Sequence, residues 1–300
     1  MRALSLSLLA LLGLAQAAFG QRVLDITEDL DFDRPESWAM KYFTSVTLFT
    51  GMGVPRRMEP GSVEVGLEAG WVPTLSDRER TVGFSGTKTE ELNRTSLFGR
   101  PRVQVGLPHG LSLTLSWVPP IEMSGVEPNL LAAALGRPLH DSDRWRLGLR
   151  VYAQYGTLEG DLTCSEGDVA GGDDPARNPF RCEVPSDDEM TLRSGSLEVS
   201  AAFPIGDRDQ FEPYVALAGH YMDLDFQVNA RYSGIIDHTL LLTDGVTASL
   251  TGGVRYTVSD RIGLSGEVFF TQLDVVRPPE TRSRSEDLVN VRALVTYRVR

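Results

Sequence analysis

Strict alternation of apolar and polar residues is the feature that most constrains how this chain can fold. From Val289 to Val299 every odd-numbered residue is apolar, and the even positions between them include Asn290, Arg292 and Arg298. Residues two apart lie on the same face of a β-strand. The pattern therefore predicts a strand whose two faces meet different environments.

The same alternation recurs along the chain, which predicts a protein built mainly of strands. The matching segments are SVEVGLEAGW (62–71), RVQVGL (102–107), LSLTLSWVP (111–119), WRLGLRVYAQY (145–155), LRSGSLEVSAAFPI (192–205), LLLTDGVTASLTGGVRYTV (240–258) and IGLSGEVFFTQL (262–273). Residues 211–226 are long enough for a strand but apolar on both faces, so their orientation stays open. Residues 22–60 show no sustained alternation, and within them 37–57 fit either a short strand or a helix.

The connections between these segments alternate in length. Short polar turns occupy 108–110, 140–144, 206–210 and 259–261, whereas the segments near 73–95, 158–189, 227–239 and 276–286 are long and rich in Gly, Asp, Ser and Pro. A transmembrane β-barrel distributes its connections in this way, with short turns toward the periplasm and long loops toward the outside.

Residues 125–141 decide the number of strands. Their Leu and Ala content favours a helix by propensity. A helix would leave nine strands and break the alternation of short and long connections. We predict instead that Asn129–Leu139 is a strand, because topology can override propensity. The alternative is a helix packed in or near the barrel.

The N-terminus predicts export. Arg2, an apolar stretch from Ala3 to Leu14 and small residues up to Gly20 are typical of a secretory signal peptide over residues 1–20. We assign residues 21–60 to an N-terminal periplasmic segment and residues 61–300 to the barrel. In an exported protein the two cysteines, Cys164 and Cys182, are expected to form a disulfide that closes a long loop.

The apolar face meets either a protein core or lipid, and periodicity alone does not choose between a soluble barrel and a membrane barrel. Large aromatic residues favour lipid, because on the apolar face they fall at the two ends of the strands, where interfacial anchors lie. The apolar faces also lack charges at mid-strand; Arg193 and Asp244 fall at the outer strand ends. The predicted aromatic girdle is Trp71, Trp117, Trp145, Tyr155, Phe203, Tyr256 and Tyr297.

With these features, residues 61–300 resemble the bacterial outer-membrane β-barrel proteins in architecture, without pointing to one family. The resemblance implies an all-β fold, a closed antiparallel up-and-down barrel of ten strands located in the outer membrane of a Gram-negative cell. It also implies outer-membrane lipid and the barrel-assembly machinery as partners. One departure is that Tyr297 is followed by Arg298, Val299 and Arg300, where many such proteins end in an aromatic residue.

The opposite faces of the strands carry charges of both signs, which predicts a charge network in the lumen. One interpretation is a set of ion pairs that fills a narrow interior, and the other is a small channel with charge-based selectivity. Because ten strands enclose little free space, we favour a filled or narrowly conducting lumen. The predicted network is Glu64, Glu68, Arg102, Arg146, Arg150, Glu198, Arg255, Glu267, Arg292 and Arg298.

Composition and motifs limit the function classes. The net charge of −12 argues against a nucleic-acid partner. The acidic loop around Asp187 lacks the spacing of a calcium site, so no metal and no cofactor are expected. The omptins, ten-stranded outer-membrane proteases, are similar in strand number, but none of their motifs is found here.

We predict a non-catalytic outer-membrane barrel for small-solute passage or a structural role, with the solute unknown. The alternatives are a surface enzyme using Asp237 and His238, and a soluble periplasmic barrel that binds a ligand inside.

Overall fold

Ten antiparallel strands form the body of the protein. The structure is a computed structural model that describes residues 22–206 and 210–299. Each strand pairs with its neighbours in the chain, and the last pairs with the first from Arg298↔Glu64 to Val291↔Trp71, which closes the sheet. We number the barrel strands β1 (Val63–Trp71), β2 (Leu97–Gly106), β3 (Ser112–Val118), β4 (Val126–Asp141), β5 (Arg146–Gly160), β6 (Asp188–Ala202), β7 (Phe211–Gln227), β8 (Leu240–Thr257), β9 (Ile262–Thr271) and β10 (Leu288–Arg298). The predicted closed barrel of ten strands is confirmed.

The segment that decided the strand count is a strand. β4 pairs with β3 on one side and β5 on the other, with Ala133 opposite both Leu115 and Ala153. Pairing on both edges satisfies its backbone and overrides the helical propensity of its Leu and Ala residues. Its inward residues Ala132 and Ala134 are small and pack against Phe49, which itself lies inside the barrel.

The outer surface of the barrel is apolar. Leu67, Leu217 and Val246 are 63%, 62% and 73% exposed. The structure gives the orientation of β7, which the sequence left open. Val215 and Leu217 face outward, while Glu212, His220 and Met222 are buried in the lumen. A closed antiparallel barrel with this surface has no sheet edge and no lipid-facing polar backbone, so it is built to span a bilayer. The soluble-barrel alternative is therefore wrong, because the aliphatic face is not gathered into a core.

Residues 30–58 lie in the lumen and residues 22–29 at its long-loop end, which corrects, for the described residues, the prediction of a periplasmic segment over 21–60. Helix α1 (Pro35–Thr47) lies at the end of the barrel that carries the long loops, and residues 48–58 run from it through the barrel to the start of β1. Before α1, Arg22–Leu24 pairs with Ile235–Asp237 and Thr27–Asp29 pairs with β8, both at the same end. The chain thus enters at the long loops and crosses the lumen before the first barrel strand. The signal peptide predicted for 1–20 lies outside the described residues.

The long loops carry small elements of their own. Short strands occupy Thr81–Val82, Lys88–Thr89, Cys182–Val184, Ala230–Tyr232, Ile235–Asp237, Asp274–Val275 and Arg284–Ser285, and short helices occupy Asp77–Arg80, Gly83–Gly86 and Glu166–Ala170. At the opposite end, a 3-10 turn at Pro108–Gly110 joins β2 to β3. The predicted disulfide between Cys164 and Cys182 is present and closes the loop between β5 and β6. No helix in the described ranges is both long and apolar enough to cross a bilayer.

Candidate functional site

The candidate site is the lumen together with the chain that fills it. We call residues 30–58 the plug. Its helix α1 begins with Pro35 at the first turn, where the missing N–H costs nothing, and has Glu36 beside its positive end. α1 and the residues next to it bury apolar side chains against inward residues near the long loops. This outer cluster comprises Leu30, Met40, Leu48, Val118, Leu130, Leu158, Met190, Leu192, Met222, Leu224 and Phe269.

On the short-turn side of α1, the plug is held by four strand arginines, Arg100, Arg102, Arg150 and Arg292, which we call the arginine clamp. All four donate hydrogen bonds to backbone carbonyls of the plug. Arg100 reaches Leu48 O at 3.0 Å, Arg102 reaches Thr50 O at 2.7 Å and Arg150 reaches Gly53 O at 3.0 Å. The clamp thus satisfies the carbonyls of an extended segment that has no strand partner.

Arg292 binds the end of α1. Its guanidinium donates to Ser45 O at 3.2 Å and Val46 O at 3.0 Å, and it also contacts Leu48 O. These carbonyls belong to the last turn of the helix and the residue just beyond it, where the negative end of the helix dipole lies, and Ser45 O also accepts from Leu48 N–H at 3.3 Å. Arg292 therefore caps α1 from the barrel wall.

Glu68 lies at the centre of the clamp and is fully buried. Its carboxylate accepts from Arg100 Nε at 2.8 Å and from Arg102 Nε at 2.6 Å, and Arg292 Nη1 lies 3.7 Å away. One buried carboxylate thus interacts with three buried guanidiniums. Such groups persist in a protein interior only when they are paired and hydrogen-bonded.

The rest of the predicted charge network also faces the lumen, with one exception. Glu198 contacts Arg150, Glu267 accepts from Thr50 of the plug, and Arg255 Nη2 lies 3.5 Å from Glu64 Oε2. Arg146 pairs with Asp141 at 2.9 Å and contacts Glu212. Arg298 is exposed at the rim of the barrel, because it is the last residue of β10.

Sequence reasoning missed further charged residues of the lumen, among them Arg100, Glu212 and Arg56. Arg100 was overlooked because Pro101 interrupts the pattern before Arg102, although the two arginines share a face. Glu212 lies in the strand whose orientation was open, and Arg56 belongs to the plug. Arg56 Nη2 lies 2.9 Å from Glu212 Oε2. Even spacing from Arg102 would have identified Arg100, whereas the sequence offered no such signal for Glu212 or Arg56.

The seven aromatic residues of the predicted girdle are all on the outer surface. Trp71, Trp117, Trp145, Tyr155, Phe203, Tyr256 and Tyr297 are each exposed. Among the outward charges, Arg193 Nη2 lies 2.7 Å from Asp225, and Asp244 accepts from the Tyr221 hydroxyl at 3.0 Å. Anchoring of the rings at the membrane interfaces stays a prediction, which their positions fit.

A cavity of about 290 Å³, the long-loop cavity, lies beside α1 among the outer loops. Its wall is mainly apolar and includes Ile26, Phe43, Phe84, Leu162, Phe226 and Val228. One carboxyl of this wall, Glu90, belongs to the loop between β1 and β2. Burial raises the pKa of Glu90 to about 8, against the opposing effect of the Lys88 ammonium. Lys88 in turn donates to Thr163 O at 2.6 Å.

A second cavity, the short-turn cavity, has a volume of about 230 Å³ and lies at the opposite end of the plug. Its wall is polar and contains arginines from both the plug and the strands, among them Arg56, Arg150 and Arg255. Phe49 and Val54 of the plug contribute to the same wall. The two ends of the lumen therefore offer opposite chemistry to a solute.

The residues considered for catalysis are not brought together. Asp237 accepts from the Tyr232 hydroxyl at 2.7 Å and the Thr239 backbone at 2.9 Å, while His238 Nδ1 is 2.9 Å from Asn229 Oδ1. His220 lies between Ser196 and Ser249 at 2.8 and 2.7 Å, but it is 1% exposed. Within the described ranges no group of three or more His, Cys, Asp or Glu side chains is arranged to hold a metal ion.

Comparison with known proteins assigns the chain to no family. No family model matches the chain, and no curated protein matches it. Among solved structures, an outer membrane channel from Pseudomonas putida F1 is 9% identical, with 83% of this chain and 100% of that chain covered at a TM-score of 0.43. The toluene transporter TodX of Pseudomonas putida is 12% identical, with 93% and 78% covered at 0.32.

The outer membrane protease OmpT of Escherichia coli is 8% identical, with 79% of this chain and 94% of that chain covered at a TM-score of 0.31.

The class of this protein follows from its own structure. A closed, even-numbered antiparallel barrel with an apolar outer surface and a turn asymmetry defines an outer-membrane β-barrel protein.

Proposed function

We propose that this outer-membrane barrel serves the passage of a small solute, is closed at rest by its own plug, and has no catalytic activity. The observation that supports this most directly is the course of residues 48–58 through the lumen, held by the arginine clamp. A barrel of ten strands leaves no room for an open pore beside such a segment.

The solute class follows from the long-loop cavity, which lies where a molecule from outside would arrive. A cavity of about 290 Å³ with a mainly apolar wall is suited to a small apolar molecule, which would lie beside the carboxyl groups of Glu28, Glu36, Glu90 and Asp237 in the same wall. Entry of the solute there places it directly against α1. Movement of α1 would then open the route along the extended part of the plug.

Release of the plug is physically feasible because its extended part, residues 48–58, is bound through polar contacts. Hydrogen bonds from Arg102 to Thr50 O and from Arg150 to Gly53 O exchange for hydrogen bonds to water at a small net cost each, provided that water follows into the lumen. The apolar packing of α1 is costlier to break, which makes the closed barrel the resting state.

A structural role with a permanent plug is the second candidate. It is favoured by the fully buried Glu68 and its three guanidiniums, which tie the plug to β1, β2 and β10. The two candidates differ in whether the lumen ever conducts, and conductance is therefore the measurement that separates them.

The proposed absence of catalysis has its own check. The Asp237 carboxylate is occupied by Tyr232 and Thr239, and in the described residues no hydrogen bond joins it to His238. Peptidase and esterase assays of the purified protein should show no turnover. Activity lost in both Asp237→Ala and His238→Ala would overturn this part of the proposal.

The experiment that tests passage is single-channel recording in planar bilayers. We expect the full barrel to stay closed and a variant lacking residues 22–57 to conduct, provided that the variant migrates as a folded, heat-modifiable barrel on gels. Frequent openings of the intact protein would contradict the closed resting state. A folded deletion variant without conductance would favour the structural role.

The solute class is tested by binding of a fluorescent apolar probe such as naphthalene. Ile26→Glu places a charge in the wall of the long-loop cavity at a residue that is already 53% exposed, so folding is not at risk. Val23→Glu is the matched control, because Val23 is 56% exposed and does not line the cavity. We expect only Ile26→Glu to weaken binding; equal binding by both variants would exclude this cavity.

A further inference from the structure

The short-turn cavity has an unusual charge. Among the residues that the structure describes, its wall contains seven arginines, two from the plug and five from the strands, but only two carboxylates, Glu64 and Asp141. This holds in a chain whose net charge is −12. The seven are Arg56, Arg57, Arg102, Arg146, Arg150, Arg255 and Arg298.

The ion pairs that these arginines make do not neutralise the cavity. In the part of the chain that the structure describes, five carboxylates pair with them: Glu64, Glu68, Asp141, Glu198 and Glu212. Glu212 is shared by Arg56 and Arg146, and Glu68 is shared with Arg100 and Arg292. Among the described residues, the arginines of this wall therefore outnumber the carboxylates that pair with them.

Two hydrogen-bond donors in this wall are also unused. The Nε atoms of Arg56 and Arg255 are buried and donate to no described residue. The arginine–carboxylate contact of Arg255 is long, at 3.5 Å to Glu64. A buried charged donor without a partner is costly, so an acceptor placed in the cavity would relieve both atoms.

We infer that the short-turn cavity is a binding site for a small anion that carries a phosphate group. Guanidinium groups present paired N–H donors that match phosphate oxygens, and several of them converge here from different elements. A phosphate group carries up to two negative charges and more acceptor oxygens than a carboxylate, so it can accept from several of these arginines at once. The proposed apolar solute binds at the opposite end of the plug, so phosphate binding here is tested separately from binding of that solute.

The anion that fits is a soluble one. The residues of this wall lie on inward strand positions, on the plug or at the rim, so lipid headgroups on the outer surface are separated from them by the strands. Arg57 and Arg298 are exposed at the mouth and have no carboxylate partner among the described residues, which lets them attract an anion from the short-turn side.

The site is tested by calorimetric titration of the full barrel in a nonionic detergent with inorganic phosphate at constant ionic strength. We expect saturable binding that falls about tenfold or more in Arg255→Gln and in Arg57→Gln, as loss of a charge-assisted hydrogen bond requires. Arg57 is exposed, so its substitution leaves folding intact even if Arg255→Gln does not.

Arg144→Gln is the matched control, because Arg144 is exposed in the β4–β5 turn at the same end and does not line the cavity. Its phosphate binding should equal that of the unaltered protein. Absence of phosphate binding, or an equal loss in Arg57→Gln and Arg144→Gln, would overturn the assignment. A titration in which short-chain phosphatidylglycerol binds and free phosphate does not would also overturn the assignment.

Discussion

The lumen near the long loops and the lumen near the short turns are filled in different ways by one continuous plug. Near the long loops, α1 packs against apolar inward residues such as Leu192, Met222 and Leu224. Near the short turns, the plug is extended and surrounded by arginines and carboxylates. The outer surface shows no corresponding change from apolar to charged residues, because the lipid-facing residues are apolar in both halves.

The difference teaches how a barrel can hold a plug that is both anchored and releasable. Apolar packing around a helix gives a well-defined position and is costly to undo. Polar contacts to an extended backbone are individually weak in the presence of water. The apolar half thus fixes the plug, and the charged half sets how it is released.

The largest expected effect is on the charged half, at Glu68. Glu68→Ala leaves Arg100, Arg102 and Arg292 buried around a missing carboxylate, and removal of one partner from such a buried network costs about 3–5 kcal/mol. Urea unfolding in lipid vesicles should show the loss. Glu122→Ala, in the exposed loop between β3 and β4, should unfold like the unaltered protein. Equal stability of the two variants would mean that the plug is not held by this carboxylate.

The next effect is on the apolar half, at Leu192. This side chain is fully buried in the outer cluster, and truncation of such a residue to alanine costs about 2–5 kcal/mol. Leu192→Ala should therefore lower the urea midpoint. Leu217→Ala, on the lipid-facing side of the neighbouring strand β7, leaves no internal cavity and should cost less. The reverse order would show that the lumen near the long loops is not packed as described.

The smallest expected effect is a pH dependence of the folding stability, which comes from Glu90 at the long-loop end. The pKa of Glu90 is raised from 4.5 to about 8, mainly by burial. Between these values the unfolded chain has lost the proton that the folded protein keeps, so stability falls as the pH rises from about 4.5 to about 8. Glu90→Gln should flatten this part of the profile, whereas Glu91→Gln, at an exposed neighbour, should not. An unchanged slope in Glu90→Gln would assign the dependence to other groups.

The barrel was predictable because the two faces of its strands meet different environments. Lipid outside and a polar lumen inside impose a period of two on the strands, as in Val289 to Val299, and the same contrast locates Arg102 and Arg292. Where the lumen is apolar, the pattern disappears. The inward residues Met222 and Leu224 of β7 are apolar because they face the plug, so β7 reads as apolar on both faces.

The plug itself was not predictable from alternation. Its environment is made by strands that lie up to 247 residues away, as the hydrogen bond from Arg292 to Ser45 O shows. Residues 22–60 carry no period of their own beyond α1, and sequence reasoning placed them outside the barrel. An apolar patch on the inward face of β7 was the available sign that something apolar lay in the lumen.

The most direct test of the account is a cross-link between the plug and the barrel wall. Val54 of the plug and Ala202 of β6 pack in one buried cluster with Tyr214, although 148 positions separate them. In Val54→Cys/Ala202→Cys, oxidation of the folded protein should join the two cysteines within one molecule, as peptide mass spectrometry would show. Val54→Cys/Ala201→Cys should not cross-link, because Ala201 points to the opposite face. Free labelling of both cysteines by a maleimide in the folded Val54→Cys/Ala202→Cys barrel would contradict a plug inside the lumen.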